Sequence, residues 1–355
     1  INKYRKEACE ILEIPNDFYD VKQSTKIKKI KFQFSPPVLF KDKYYNILKN
    51  SGNVSVFINA SLIDIDGSNN RVSSANFKSF TGNKISIKGK NFIFALGGIE
   101  NSRYLLWITE NHKNKFFNSK LPIGKYWMEH PHFTLGRAII NKKKIDGNYY
   151  SLSSNAQKKS NILNCGFRVI HSNSSGTKSM IKEIMCLAPK LGKKLFELSG
   201  KNLICGASFR AAWEQAPDTK NCINLSAQKD SFGIPRAILN WKKFDIDRRT
   251  INKSVEEFNN WLLELDGGRI QLSEWMVYNH NYPENDELAG NHHMGGTRMH
   301  ENQTYGVVDK NCRVHGSSNL YIAGSSIFTT GGHNNPTLPI VQFSLKLADH
   351  LNTRL

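Results

Sequence analysis

No stretch of about 18 apolar residues occurs in the chain, so the sequence offers no membrane-spanning helix. Cysteine is sparse, and Cys9, Cys165, Cys186, Cys205, Cys222 and Cys312 are widely separated, with no pair in CxxC spacing. That spacing excludes the common zinc frameworks, and a chain of 355 residues needs no disulfides to hold a core, so reduced and mostly buried thiols are expected. Internal repeats and low-complexity tracts are absent. Acidic residues are in deficit, 30 against 49 Lys and Arg, which leaves a formal charge of +19. An excess of that size raises a nucleic-acid reading. The lysines, however, are scattered among abundant Asn and Ile. The densest group, Lys26, Lys28, Lys29 and Lys31, is short and belongs to no RNA- or DNA-binding motif. No nucleic-acid partner is expected.

What is present suits a globular protein: 39% hydrophobic and 11% aromatic residues. The length fits two ordinary domains, or one large domain with an insertion. The first residue is Ile and no signal-peptide pattern stands ahead of the first motif, so a processed leader or a missing upstream segment is expected. Cellular location cannot be read.

Along the chain, "NVSVFINASLIDI" (53 to 65) and "KISIKGKNFIFALGG" (84 to 98) read as strands, the second ending in a glycine pair. "IENSRYLLWITE" follows with the apolar spacing of a helix through Ile99, Tyr104, Leu105 and Ile108. Strand, glycine turn and helix start form the unit that presents backbone N–H groups to a phosphate in α/β folds, although a bare Gly-Gly also serves simple tight turns. From about 132 to 285 the character changes. "HFTLGRAII", "ILNCGFRVI", "NLICGASFRAAWEQ", "CINLSAQ" and "RAILNWK" suggest a largely antiparallel sheet. "SMIKEIMCLAPKLGKKLFELSG" and "DIDRRTINKSVEEFNNWLLELDGG" read as helices. The second carries an apolar stripe of Ile251, Val255, Phe258, Trp261, Leu262 and Leu265, stopped by Gly267 and Gly268. The last 67 residues return to α/β style, from "NLYIAGSSIF" to a helix opened by Asn335 and Pro336, with Asn as cap.

Three motifs then stand in order: "GNHHMGGTRM", "GVVDKNCRVHGSSNLYIAGSS" and "GGHNNPTLP". Together they resemble the C-terminal region of the glucose–methanol–choline (GMC) family of FAD-dependent oxidoreductases, nearest its sugar- and alcohol-oxidising, pyranose 2-oxidase-like branch. "FSPPVLF", "NFIFALGGIENSRYLL", "IGKYWMEHPHF" and "EQAPDTKNCINLSAQKDSFGIPRAILNWKKFDIDRR" fall in the family's order, so the likeness runs from about residue 30 to the end. The resemblance implies an α/β fold: a Rossmann-like FAD-binding domain joined to an α+β substrate domain with an antiparallel sheet and flanking helices. It divides the chain into 1–132 (FAD-binding part), 133–288 (substrate domain) and 289–355 (return to the FAD-binding domain). One departure is large. The family's opening βαβ unit bears G-x-G-x-x-G, and no such motif occurs here, so the sheet is expected to lack its first strand.

The same resemblance assigns the residues. Counting back six positions from Arg298 reaches His292, the place of the family's base beside the flavin. His293 stands where many members have Pro and is the reserve. Asn335 is implied to orient the substrate hydroxyl, with His333 a nearby alternative. Gly97, Gly98, Ala323, Gly324, Asn335, Pro336 and Thr337 are the implied cofactor contacts, and FAD is the implied cofactor. His130 and His132 in "MEHPHF" could suggest a metal, but no Cys, Asp or Glu stands at ligand spacing, and no metal site is expected. The implied substrate is a small alcohol or sugar, with oxygen, a quinone or a cytochrome left open as electron acceptor. Two other readings also stay open: a lyase of the same flavin fold, and an inactive remnant without the dinucleotide-binding motif.

Overall fold

In the computed structural model, all residues are described except 19–20, 38, 142–143, 146–148, 171–206, 285–286, 288–289 and 354–355. The architecture grows from two patterns, strict alternation in the middle of the chain and short apolar strands flanking a helix at either end. Strands β1 (Val21–Lys22) and β2 (Ile27–Lys29) are followed by β3 (Ser61–Ser68), β4 (Arg71–Lys78), β5 (Lys84–Lys88) and β6 (Phe92–Phe94). Next come β7 (His132–Ile140), β8 (Tyr149–Leu152), β9 (Cys165–Ile170) and β10 (Ala207–Trp213). The hairpin β11 (Cys222–Lys229) and β12 (Pro235–Asn240), then β13 (Gly268–Leu272) and β14 (Leu320–Ile322), complete the series.

Alternation builds the large sheet. In β10 the residues Ala207, Phe209, Ala211 and Trp213 are buried while those between them are half-buried, and β9 hides Cys165, Phe167 and Val169 in the same way. Seven strands pair antiparallel in the order β1-β2-β8-β9-β10-β7-β13. Its inner face packs on the helix Asp245–Glu264, which buries Ile251, Val255, Phe258, Trp261 and Leu262. The Phe258 ring stacks 5.0 Å from Phe167 and 5.7 Å from Phe209. Asp247 ties the helix start to the sheet, accepting from Trp213 Nε1 at 3.0 Å and from the Phe244 amide at 2.7 Å. Leu265 lies beyond the helix end and is 42% exposed, so it is not part of the stripe. The chain reverses through Asp266 in the left-handed region rather than through a glycine. Gly268 instead opens β13, where a Cβ would stand 2.1 Å from the Ile139 carbonyl.

The second body is the α/β part. β6 and β14 pair in parallel, in the register Phe92 with Leu320 and Phe94 with Ile322, beside the helix Glu100–His112. Their core holds Leu105, Ile108, Tyr321 and Ile322 at no more than 1% exposure. Parallel sheets normally bury both faces. Here Ile93 is 45% exposed, and among the described residues the pair has no third strand. The three-stranded meander β3-β4-β5 and the β11-β12 hairpin flank this body.

Four outcomes differ from the sequence reading or fall outside it. Residues 54–58 form no strand: among the described residues no neighbouring strand takes up their backbone, and Ile58 is 81% exposed. Residues 21–29, for which no strand was read, pair onto β8 at the edge of the large sheet. The helix read at 179–200 lies outside the described residues, as do Cys186 and Cys205. The remaining cysteines are free thiols, with Cys9, Cys165 and Cys312 buried.

Candidate active site

Two extended segments meet at the junction of the bodies. Met128 and Met294 exchange backbone hydrogen bonds, Met128 N to Met294 O at 2.8 Å and Met294 N to Met128 O at 3.0 Å. In an antiparallel pair that register sets Glu129 opposite His293 and His130 opposite His292, with neighbours on opposite faces. The side chains follow it. His130 Nδ1 lies 2.9 Å from His292 Nδ1, whereas His293 Nε2 lies 3.6 Å from Glu129 Oε2 and its ring is 5.7 Å from the Trp127 ring. Glu129 is 3% exposed at its side chain, and its Oε1 accepts the backbone N–H of both His130 (2.8 Å) and His292 (2.9 Å). One carboxylate thus fixes both backbones that carry the imidazole pair. Burial pushes the Glu129 carboxyl up from its ordinary range.

The hydrogen bonds settle which ring nitrogens carry protons. His130 Nε2 lies 3.2 Å from the Gly331 carbonyl, which can only accept, so that nitrogen is N–H. Burial, with His292 adding to it, pushes the His130 pKa down to about 3, and the ring is neutral near pH 7. Its Nδ1 is therefore a lone pair, and His292 Nδ1 donates to it. A neutral His292 then has its lone pair on Nε2. Burial first, and His293 second, also hold the His292 pKa below its ordinary value.

His292 and Asn335 line one cavity of about 160 Å³, together with His130, His132, Arg168, Arg210 and His333. His293 lines neither this cavity nor the larger one of about 740 Å³ beside it. The larger cavity runs past Asn335, Pro336 and Thr337 at the start of the helix Thr337–Asn352, and shares Phe32, Phe34, His333 and Asn335 with the smaller. The helix is capped differently from the sequence expectation. Pro336 is the cap residue and no side chain caps it, so the Asn335 amide is not engaged there. Gly166 is a close-contact position: a Cβ would stand 2.4 Å from His333 Cδ2, so the missing side chain lets the buried imidazole lie against β9.

Gly97, Gly98, Ala323 and Gly324 line neither cavity. They follow β6 and β14, at the carboxyl ends of the parallel pair, where open α/β sheets bind ligands. Asn101, which the sequence reading missed, joins the two turns. Its Oδ1 accepts from Leu96 N at 3.0 Å, and its Nδ2 donates to Ala323 O at 3.0 Å and to Ser326 Oγ at 2.9 Å. Gly97 and Gly324 both take left-handed φ, and a Cβ on Gly97 would meet nothing within 4 Å. That leaves open space over the strand ends. An apolar cavity against an uncapped helix N-terminus and this open turn fit the ring system and flank of a large planar cofactor. A pyrophosphate-binding G-x-G-x-x-G loop is not in the sequence. The sequence reading weighed His130 only as a metal ligand and passed over Glu129, Arg168 and Arg210. The signals for them were the "EHPH" spacing and the two "FR" steps in β9 and β10, which set a charge at a wall position.

Residues 217–344 match the family described as GMC oxidoreductase. The large subunit of fructose dehydrogenase from Gluconobacter japonicus is 25% identical over 285 residues, 79% of this chain and 50% of that protein. The 2-methyl-1,2-propanediol dehydrogenase of Mycolicibacterium austroafricanum is 25% identical over 290 residues, 77% of this chain and 50% of that protein. The chain spans about half the length of these curated relatives. Among solved structures, pyridoxine 4-oxidase from Mesorbium loti superposes with a TM-score of 0.63 at 13% identity, covering 99% of this chain and 69% of that one. A formate oxidase does so at 0.57 and 12%, covering 99% and 70%. At such identities the likeness is one of fold.

Proposed function

We propose, from the match of residues 217–344 to the GMC oxidoreductase family, that the chain is the substrate-facing part of an FAD-dependent oxidoreductase acting on the CH–OH group of an alcohol or sugar. The observation that carries this reading is the bare Nε2 of His292, left as the only basic nitrogen of its ring once Nδ1 donates to His130. Oxidising an alcohol removes a proton from oxygen and a hydride from carbon. Bound FAD would supply the hydride acceptor. Gly97, Gly98, Ala323 and Gly324 at the strand ends, and Asn335, Pro336 and Thr337 at the helix start, are the residues that would hold it.

The chain's own groups divide the remaining work. His292 takes the hydroxyl proton at Nε2, and a neutral imidazole suits that task near pH 7. The resulting imidazolium keeps its Nδ1–H bond to the neutral His130, so no ring has to turn. Asn335 donates its amide N–H to the same hydroxyl oxygen, orienting it without adding charge. The first-turn amides of Thr337 and Leu338, unclaimed by any capping side chain, favour negative charge building up at the helix start. Phe32 and Phe34 line both cavities with apolar surface.

The test is anaerobic mixing of the flavin-loaded, full-length protein with a panel of alcohols and sugars. Bleaching of the flavin band by a CH–OH compound is the expected result. Product formed without bleaching would assign a lyase of the same fold instead.

A further inference from the structure

The wall of the small cavity opposite His292 is a row of three residues on neighbouring strands. Tyr149 of β8 pairs with Arg168 of β9, and Arg168 pairs with Arg210 of β10. Residues in direct cross-strand register share a face of the sheet, and like charges placed so destabilise it. Here two arginines stand in direct register and line one cavity. Among the described residues neither has an ion-pair partner, and the Arg210 Nε is buried without a hydrogen bond. Nearby carboxylates are committed elsewhere: Glu214 accepts from Asn164, and Glu287 pairs with Lys243.

The arrangement is built rather than incidental. The register between β10 and β7 slips between Phe209, opposite Gly136, and Arg210, opposite Thr134, so Leu135 is an extra residue. Such a bulge bends the strand that carries it, here β7, directly opposite Arg210. Arg168 is held by its stem and charge over the Tyr149 ring, 5.3 Å from the centroid. Both arginines line the same cavity as His292 and Asn335. A cavity of about 150 Å³ holds a molecule of benzene size, and this one is about 160 Å³. A planar carboxylate is the small group that matches guanidinium forks in both charge and geometry.

We propose that the substrate oxidised at this site is a small hydroxy acid, its carboxylate held by Arg168 and Arg210 while its hydroxyl faces His292 and Asn335. The inference deepens the alcohol-oxidising reading above and rests on it for the hydroxyl half only. The arginine pair sets the distance between the charged end and the reacting carbon. It therefore selects against neutral polyols of equal size, which would leave the buried Arg210 Nε unmatched while Arg168, exposed at the cavity mouth, stays hydrated.

The experiment uses the full-length, flavin-loaded protein. Calorimetric titration compares propionate, which has no hydroxyl to oxidise, with propionamide, its uncharged analogue. Flavin reduction compares glycerate with glycerol, in the wild type and in Arg168→Gln and Arg210→Gln. Propionate is expected to bind at least about tenfold more tightly than propionamide, and glycerate to exceed glycerol in kcat/KM by a similar factor. Either substitution should narrow the glycerate-over-glycerol ratio by about tenfold to a hundredfold. Equal binding of the acid and the amide by the wild type overturns the proposal without recourse to any variant. Selective propionate binding with no flavin reduction by either alcohol leaves the anion site standing and removes the redox reading. Reduction by both alcohols without charge preference does the reverse.

Discussion

His130 Nδ1 and His292 Nδ1 lie 2.9 Å apart, and the Gly331 carbonyl on the far side of His130 dictates that His292 is the donor. His130 is thus a positioning residue that selects the tautomer of the base. Leu at position 130 should slow flavin reduction on the order of 10²-fold by freeing the His292 tautomer. Asn, whose Oδ1 stands where Nδ1 was, should restore most of that loss. The direct readout is 15N NMR of histidine-labelled protein, in which His292 Nδ1 should be the protonated nitrogen. Protonation at Nε2 in the resting wild type would sink the assignment.

His292 and His293 are expected to separate cleanly. His292→Ala should lower the reduction rate by something on the order of 10² to 10⁴-fold, with substrate affinity changed much less. His293→Ala should leave that rate near wild type, because its ring faces Glu129 and Trp127 and lines neither cavity. The opposite pattern in rapid-mixing experiments would hand the role to His293. The pH dependence carries a further check. Since burial holds the His292 pKa below its ordinary 6.5, kcat/KM should fall with acid only below that value.

Much of this site could be read from the chain, for identifiable reasons. Extended backbone sends neighbours to opposite faces, so the sequence alone said that His292 and His293 have different surroundings. It could not say which surroundings, because these depend on the pairing of Met128 with Met294, 166 positions apart in the chain. The same is true of His130, weighed only as a metal ligand and found against His292. The strands with strict alternation, β9 and β10, were legible because one face meets the helix carrying Phe258. Residues 54–58 read equally well as strand, but a strand also needs a neighbour, and sequence pattern does not report that. Asn335 before Pro336 read as a helix cap. Pro336 took the cap position itself, and Asn335 was left facing the cavities.

Acid should destabilise the protein through the buried histidines. Burial pushes His130 to about 3, and burial with Arg210 and Arg168 pushes His132 to about 4, against 6.5 in an ordinary setting. Below 6.5 the unfolded chain binds protons that the folded one refuses, so stability is full above that value and falls as pH drops toward about 4. Glu129, raised by burial, acts with the opposite sign: its contribution is present at low pH and lost as pH rises through its folded pKa. The His130→Leu variant isolates one histidine. Urea midpoints at about pH 7 and about pH 5 should differ less in the variant than in the wild type. An identical drop in both would show that His130 is not the group responsible.

Asn335→Ala should slow flavin reduction by on the order of 10²-fold, through loss of one hydrogen bond to the reacting oxygen. Its thermal midpoint should stay within experimental scatter, since the Asn335 side chain makes no cap bond to the last helix. A lowered midpoint with an unchanged reduction rate would reverse the assignment and make the residue structural.

Gly166 supplies the last test, because it separates the shape of the cavity from its chemistry. A methyl group there would stand 2.4 Å from His333 Cδ2 and 3.1 Å from Nε2, and the ring belongs to a buried residue with little room to retreat. Overpacking of that kind costs about 1 to 3 kcal/mol. His333 lines both cavities beside Asn335, so a shift of its ring changes the shape of the wall that a substrate meets. Gly166→Ala should therefore lower the thermal midpoint and raise KM several-fold, while the acid limb of the kcat/KM profile, set by His292, stays where it was. A shifted acid limb with an unchanged KM would mean that His333 takes part in the proton chemistry, and His292 would then no longer be its sole owner.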